Sequence, residues 1–240
     1  MLDNYHAVLY RSLHPFVKEL TMNEARKAAI RRARDLSYQR YFVGDGIDVG
    51  CGAWGLNGLR EFYPAMRSVV EWDLPMGDGA LLASVADNTC DWVHGSHVLE
   101  HLDFPAKGMN NWLRVLKPGG HIIATIPDFE MYERGNWPSK FSGEHLWRFT
   151  MEASLAHGPQ MLYLMDFLDY FESVAAIERI VVVRDNFNPS FSRDTDQTLG
   201  PAECAIEFVV RKLCPTIPKE EPSNDTGPIY PIKTYARSAS

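Results

Sequence analysis

Gly46-Ile47-Asp48-Val49-Gly50-Cys51-Gly52-Ala53-Trp54-Gly55 reads as a short buried strand running into a glycine loop. Glycines after a strand permit a tight turn and let a ligand approach the backbone closely. A helix expected over 56–62 would present free N–H groups to that ligand. Working outward, Ser68 to Asp73 reads as a second strand, Cys90 to His94 as a third and His121 to Ile126 as a fourth. An apolar-patterned helix containing Val98 and Leu99 is expected after the third strand. Another is expected over Asn111 to Leu116, stopped by Lys117-Pro118-Gly119-Gly120. Strands alternating with helices imply an α/β chain with a Rossmann-like, doubly wound, mostly parallel sheet covered on both faces. A helix over 151–170 and two late strands, Ile177 to Arg184 and Ala205 to Arg211, complete the expectation, with the C-terminal strand antiparallel.

The flanks differ from this middle. Between Thr21 and Gln39 there is no Gly or Pro, and Ala25, Ala29, Ala33 and Leu36 recur at helical spacing. Thr21 and Glu24 have capping-box spacing. The basic residues Arg26, Lys27, Arg31, Arg32 and Arg34 read as a solvated face, or as a phosphate-recognising cap over a site. Pro215 to Ser240 is rich in Pro, Ser and charge and is expected to lack fixed structure. The expected organisation is an N-terminal helical cap over 1–43, a Rossmann-like domain over 44–213 with a substrate loop inserted at 129–150, and a flexible tail over 214–240.

Composition narrows the function classes. The 240 residues carry a formal net charge of -7, so the broad positive field that drives nonspecific nucleic-acid binding is absent and a nucleic-acid partner is disfavoured. Cys51, Cys90, Cys204 and Cys214 form no C-x-x-C pair, which suits a reducing compartment. No apolar run approaches the roughly 20 residues that span a bilayer. A cytoplasmic protein is expected; oligomeric state is left open.

Two ligands could use the glycine loop. Gly50 to Gly55 fits G-x-G-x-x-G, and Asp73, 18 residues beyond Gly55, could bind ribose hydroxyls, as NAD would require. Asp48 argues otherwise. In the dinucleotide pattern its position packs as an apolar strand residue, and a carboxylate there needs a polar partner. A ligand with a cationic amino group offers one, as S-adenosylmethionine does.

The chain resembles the class I methyltransferases, especially those with a methyltransferase type 11 domain. GIDVGCG (Gly46 to Gly52), VEWD (Val70 to Asp73), GDGALLASVADNTCDWV (Gly77 to Val93) and SHVLEHL (Ser96 to Leu102) followed by LRVLKPGGHIIATIP (Leu113 to Pro127) carry the likeness in the family's order. The resemblance implies S-adenosyl-L-methionine as cofactor. It implies that Asp48, Gly50, Cys51 and Gly52 hold the methionine end, Asp73 the ribose, and Asp78 and Gly79 the adenine edge, with Ser96 and His97 opening into the site. Only four residues separate Asp73 from Asp78, where the family has a helix and a further strand. Either that unit is missing or one acid is misassigned.

His97-Val98-Leu99-Glu100-His101 matches the H-x-x-E-H zinc pattern, with both histidines on one face if helical. Its place after a methyltransferase-like strand explains it better, and no metal is expected; His101 reads as the deeper, structural residue. Met131 to His145 is too long and aromatic for a minimal turn. It reads either as a loop packed by its own aromatics or as a substrate wall with Asp128, Tyr132, Glu133, Trp137 and His145. The expected reaction is methyl transfer to a small-molecule, sugar or glycan, or lipid-linked acceptor, directed to oxygen, with His145 or His97 as base. A non-catalytic S-adenosylmethionine-binding module and an NAD-dependent oxidoreductase are the alternatives.

Overall fold

Alternation of side chains along the central strands splits the core into two layers and fixes where the helices dock. The structure, a computed structural model, describes residues 23–213. Its strands are β1 (Gly44–Val49), β2 (Met66–Trp72), β3 (Cys90–Ser96), β4 (Leu116–Pro127), β5 (Arg148–Thr150), β6 (Met161–Tyr163), β7 (Ala175–Val183) and β8 (Ala205–Lys212). Its α-helices are α1 (Glu24–Arg34), α2 (Pro105–Val115) and α3 (Leu164–Asp169). Six strands form one sheet in the order β2-β1-β3-β4-β8-β7. The pairs β1–β2, β1–β3 and β3–β4 are parallel, whereas β8 runs antiparallel to both β4 and β7. This is the mixed, mostly parallel Rossmann-like sheet that the strand–helix alternation implied.

On one face Val93, Ile122 and Phe208 meet Met109, Trp112 and Leu113 of α2 and Phe167 of α3. On the other, one residue out of phase, Trp92, Ile123 and Val209 meet Ala29 of α1 together with Tyr38, Tyr41, Phe42 and Tyr63. Burying an aliphatic or aromatic side chain of this size contributes roughly 1.5–3 kcal/mol. Two residues further along β3 and β4, and two residues earlier in antiparallel β8, the second face turns polar, with buried His94, Thr125 and Glu207.

Several expected elements are corrected. The N-terminal helix is shorter than 21–39. Its cap is Asn23, whose Oδ1 accepts from Arg26 N–H at 2.8 Å, and Thr21 lies outside the described residues. Asp35 ends the helix by accepting from Ser37 N–H, which diverts the chain into a 3-10 turn, Leu36–Tyr41. Residues 56–62 are also 3-10, broken at Leu59. His97 takes a left-handed φ of 57° and only a single turn, Leu99–His101, follows. The H-x-x-E-H residues therefore share no helix face. The helix placed over 151–170 shrinks to α3, because β6 pairs in parallel with β5 just ahead of it.

The short link between β2 and the third strand is explained by absence. Asp73 caps the turn Leu74–Met76 and the chain proceeds directly to Asp78, so the family's extra helix and strand do not exist here. Among the described residues the sheet ends at β2. The expected tail, 214–240, and residues 1–22 lie outside the described residues.

Candidate functional site

The site forms where β1 and β3 release the chain at their carboxyl ends. Gly50 and Gly52 take φ of 64° and 55°, a region that L side chains rarely adopt. Gly50 N–H donates to Trp72 O at 2.8 Å and folds the loop toward β2. A cavity of about 160 Å³ lies against it, lined by Asp48, Gly50, Cys51, Ser96 and His97, with Asn23 and Glu24 closing it from the start of α1. A larger hollow of about 670 Å³ adjoins it around Gly52, Trp54, Asn57 and Glu71. The smaller cavity has the stronger claim, because it alone is lined by buried polar atoms without a partner, Ser96 Oγ and His97 Nε2. A ligand is what such atoms would satisfy.

Asp48 finds its partners inside the protein rather than in a ligand. Its Oδ2 accepts from Leu56 N–H at 2.8 Å and its Oδ1 lies 2.6 Å from His94 Nδ1. His94 Nε2 lies 3.2 Å from an Arg32 nitrogen. A guanidinium can only donate, so Nε2 accepts and Nδ1 carries the proton given to Asp48. The polar partner required by a buried carboxylate is thus a neutral imidazole.

Arg32 continues the chain of contacts. It is fully buried, donating to Glu207 through Nε at 2.8 Å and to Thr125 Oγ1 at 3.2 Å. Arg31 bonds Glu207 and Glu203. Lys27 Nζ donates to Glu24 Oε1 and to the carbonyls of Thr198 and Ala202. Burial opposes charge on Glu207, but the two guanidiniums outweigh it and hold the carboxyl far below its ordinary range. The basic cluster of α1 is divided: Lys27, Arg31 and Arg32 turn inward and bind the helix to β8 and the 197–203 segment, whereas Arg34 is exposed and Arg26 lines the larger hollow.

The remaining residues named from the sequence fall into different roles. Burial, with nearby carboxylates, pushes the Cys51 thiol up to about 12, so it lines the cavity as a neutral group. Asp73 Oδ1 accepts from Leu74 N–H and Asp78 Oδ1 from Ala80 N–H, each keeping a second oxygen free of these turns. Gly79 O accepts from Trp112 Nε1 at 2.9 Å. Asp73, Asp78 and Gly79 line neither hollow. His97 lines the cavity, but His145 does not. His145 has a side chain only 4% exposed and lies 2.7 Å through Nδ1 from buried Glu133. His101, read as the deeper histidine, is the more exposed, at 33% against 19% for His97.

Burial works against a charge on His97, yet contact with Glu100 raises its pKa. The same contact, with His101 and His145 nearby, lowers that of Glu100 despite its burial. Sequence reasoning missed Asn23 and Glu24 as cavity walls and Glu100 as a site group. Glu24 was visible only as a capping residue, and Glu100 only as part of a zinc pattern set aside.

A mostly parallel sheet with an antiparallel β8, carrying a glycine loop after β1 above a cavity with unsatisfied polar atoms, defines the class I methyltransferase fold. The comparisons agree: residues 65–124 match the methyltransferase domain family. No curated protein sequence matches the chain.

Among solved structures, a chain from the Haloferax volcanii complex of the Trm112 methyltransferase activator with a methyltransferase superposes with a TM-score of 0.53 at 13% identity. The match covers 79% of this chain and 95% of that one. The N-methyltransferase NodS of Bradyrhizobium japonicum, solved with S-adenosyl-L-homocysteine, gives 0.49 at 13% identity over 85% and 96%. An Archaeoglobus fulgidus methyltransferase dependent on S-adenosylmethionine gives 0.48 at 17% over 76% and 93%. At these identities the likeness is one of fold. The Haloferax volcanii match shows a methyltransferase-like fold, and residues 65–124 carry the match to the methyltransferase domain family.

The residues present fit S-adenosylmethionine at its methionyl end, where the glycine loop, Ser96 Oγ, His97 Nε2 and the Glu24 carboxylate meet. A pyrophosphate would find no α-helix N-terminus here, since the loop leads into a broken 3-10 turn. No helix of the described residues is long and apolar enough to cross a membrane.

Proposed function

We propose that the chain methylates a hydroxyl group of a small-molecule, glycan or lipid-linked acceptor. The observation that carries this reading is His97, which lines the cofactor cavity with Nε2 unpartnered and with Nδ1 3.2 Å from fully buried Glu100. A hydroxyl is a poor nucleophile until its proton is taken, and a positioned base contributes about 10²–10⁴-fold to such a step. S-adenosylmethionine supplies a methyl group on a sulfonium, a good leaving group.

His97 Nε2 would receive the acceptor proton, Glu100 would steady the imidazolium that results, and bound S-adenosylmethionine would supply the methyl group. The segment 129–150 supplies the acceptor wall. It is anchored by Asp128, whose Oδ1 accepts from the Glu130 and Met131 N–H groups at 3.0 and 2.9 Å. Trp137 Nε1 donates to Gln160 Oε1 at 3.0 Å, which holds its ring in place. Here His145 acts beside the base rather than as the base.

Incubating the protein with methyl-labelled S-adenosylmethionine and separated small-molecule, glycan and lipid fractions tests the reading. Label in a methyl ether of one fraction is expected. Label confined to amines would overturn the oxygen-directed assignment, and so would label confined to nucleic acid.

A further inference from the structure

Beside His97, the chain brings together a carboxylate and two imidazoles from segments far apart in sequence. Leu146 and Trp147 donate their N–H groups to Glu100 O at 2.8 and 3.0 Å, and Trp147 Nε1 donates to Leu102 O at 2.9 Å. These bonds dock the end of the 129–150 segment on the Leu99–His101 turn. They set His145 edge-on to His101, ring centroids 4.8 Å apart. One ligand atom from each of Glu100, His101 and His145 lies within 4.8 Å of the other two.

The protonation pattern makes this grouping more than an ion pair. His101 Nδ1 lies 3.1 Å from Glu144 O. A carbonyl only accepts, so Nδ1 carries the proton, and in the neutral ring Nε2 presents a lone pair. That Nε2 stands 3.9 Å from Glu100 Oε1, too far for a hydrogen bond. Glu100 is fully buried; its Oε1 also faces His97 Nδ1 at 3.2 Å, and its Oε2 has no hydrogen-bond partner. Electron-rich atoms facing one another in a dry site repel unless a cation lies between them.

His145 is arranged alike. Its Nδ1 is held by Glu133, itself buried, which leaves Nε2 as the free ring atom. A carboxylate or carbonyl behind each imidazole is the usual outer support of a metal-bound histidine.

We infer that Glu100, His101 and His145 bind a divalent first-row transition-metal ion such as zinc, manganese(II) or iron(II). Two imidazoles with one carboxylate suit these ions better than magnesium or calcium, which favour all-oxygen shells. With metal–ligand bonds of about 2.1 Å, ligand atoms in a tetrahedral shell lie about 3.4 Å apart. The widest separation here closes by about 1.4 Å, within reach of the half-exposed His101 ring. Three protein ligands leave a position open for a further oxygen donor. The site does not depend on the hydroxyl assignment made above.

Cobalt(II) added to the full chain, stripped of metal with a chelator, is the probe. We expect one equivalent to bind with visible d–d absorption, and zinc to displace it. His101→Ala and His145→Ala should each weaken binding by at least about tenfold. Glu133→Gln, which removes only outer support and spares the fold, should cost about 10–100-fold. His157→Ala serves as the control and should leave binding unchanged. Absence of cobalt or zinc uptake by the wild-type chain would overturn the inference, as would uptake that survives the double variant His101→Ala/His145→Ala. S-adenosylhomocysteine affinity, measured on the same samples, reports on the cofactor reading separately and shows that each variant is folded.

Discussion

Two buried polar networks flank the glycine loop, and they are built on opposite plans. In the Asp48–His94–Arg32–Glu207 chain, every carboxylate is matched by a donor, and α1 is tied through it to β1, β3 and β8. Around Glu100 and His97, by contrast, Glu100 Oε2, His97 Nε2 and Glu133 Oε2 are buried without a hydrogen-bond partner, and Glu100 Oε1 meets only histidines. A satisfied network rigidifies a fold, whereas an unsatisfied one costs stability and is retained where a site needs it. The first holds the scaffold; the second is where the proposed chemistry is placed.

The contrast breaks most sharply under substitution. Arg32→Met leaves Glu207 charged and buried, and should lower unfolding free energy by about 3–5 kcal/mol in a urea titration. Glu100→Gln removes the charge that contact with His97 holds in place, and should also lower stability, but by less than Arg32→Met. If both variants lose stability equally, the two networks are not different in kind.

Activity should show the reverse order. His97→Ala is expected to lower turnover by about 10²–10⁴-fold while S-adenosylhomocysteine affinity stays within a few-fold. Steady-state kinetics with an identified acceptor, alongside calorimetry, would check it. Wild-type turnover in this variant would remove His97 from the reaction.

A smaller effect is expected at Asp73. With one oxygen used by the Leu74 turn and the other available to a ribose, Asp73→Ala should weaken cofactor binding by about 1.5–3 kcal/mol, the range for a charged hydrogen bond. Unchanged affinity would show that the shortened link after β2 has moved the ribose site elsewhere.

The pH dependence sharpens the account of the closed network. The pKa of Glu207 in the fold lies below its ordinary value of 4.5. Its stabilising contribution is therefore complete above about 4.5 and is lost as pH falls toward the folded value. Acid titration of the wild type should show this loss, and the Arg32→Met variant should show less of it.

The alternation of strands and helices, the glycine loop and the antiparallel β8 were legible because periodicity and glycine placement are local properties. The 56–62 helix was not. The loop's N–H at Leu56 is taken by Asp48, and the turn that follows never becomes regular. The inward turn of Lys27, Arg31 and Arg32 was also hidden, since the Thr198 and Ala202 carbonyls that receive Lys27, and the Glu203 and Glu207 carboxylates that receive the arginines, lie about 170 residues away in sequence. Asp48 was marked as a carboxylate needing a partner, but pattern alone could not name His94, its neighbour across the β1–β3 pairing. His145 could be chosen as reactive; that Glu133 and His101 surround it required the fold.

The loss of a helix–strand unit after β2 has a consequence for how this molecule behaves in company. An outermost strand offers its unpaired backbone groups to any other strand that drifts alongside, and proteins that keep such a border short of charge tend to precipitate through it. Here Arg67 and Glu71 are exposed on that strand, with Arg67 held toward Asp45, while Val70, Leu74 and Met76 form the apolar part of the same border. Among the described residues that margin carries a few ionic side chains, and neutralising Arg67 and Glu71 together is expected to make it a seam between copies.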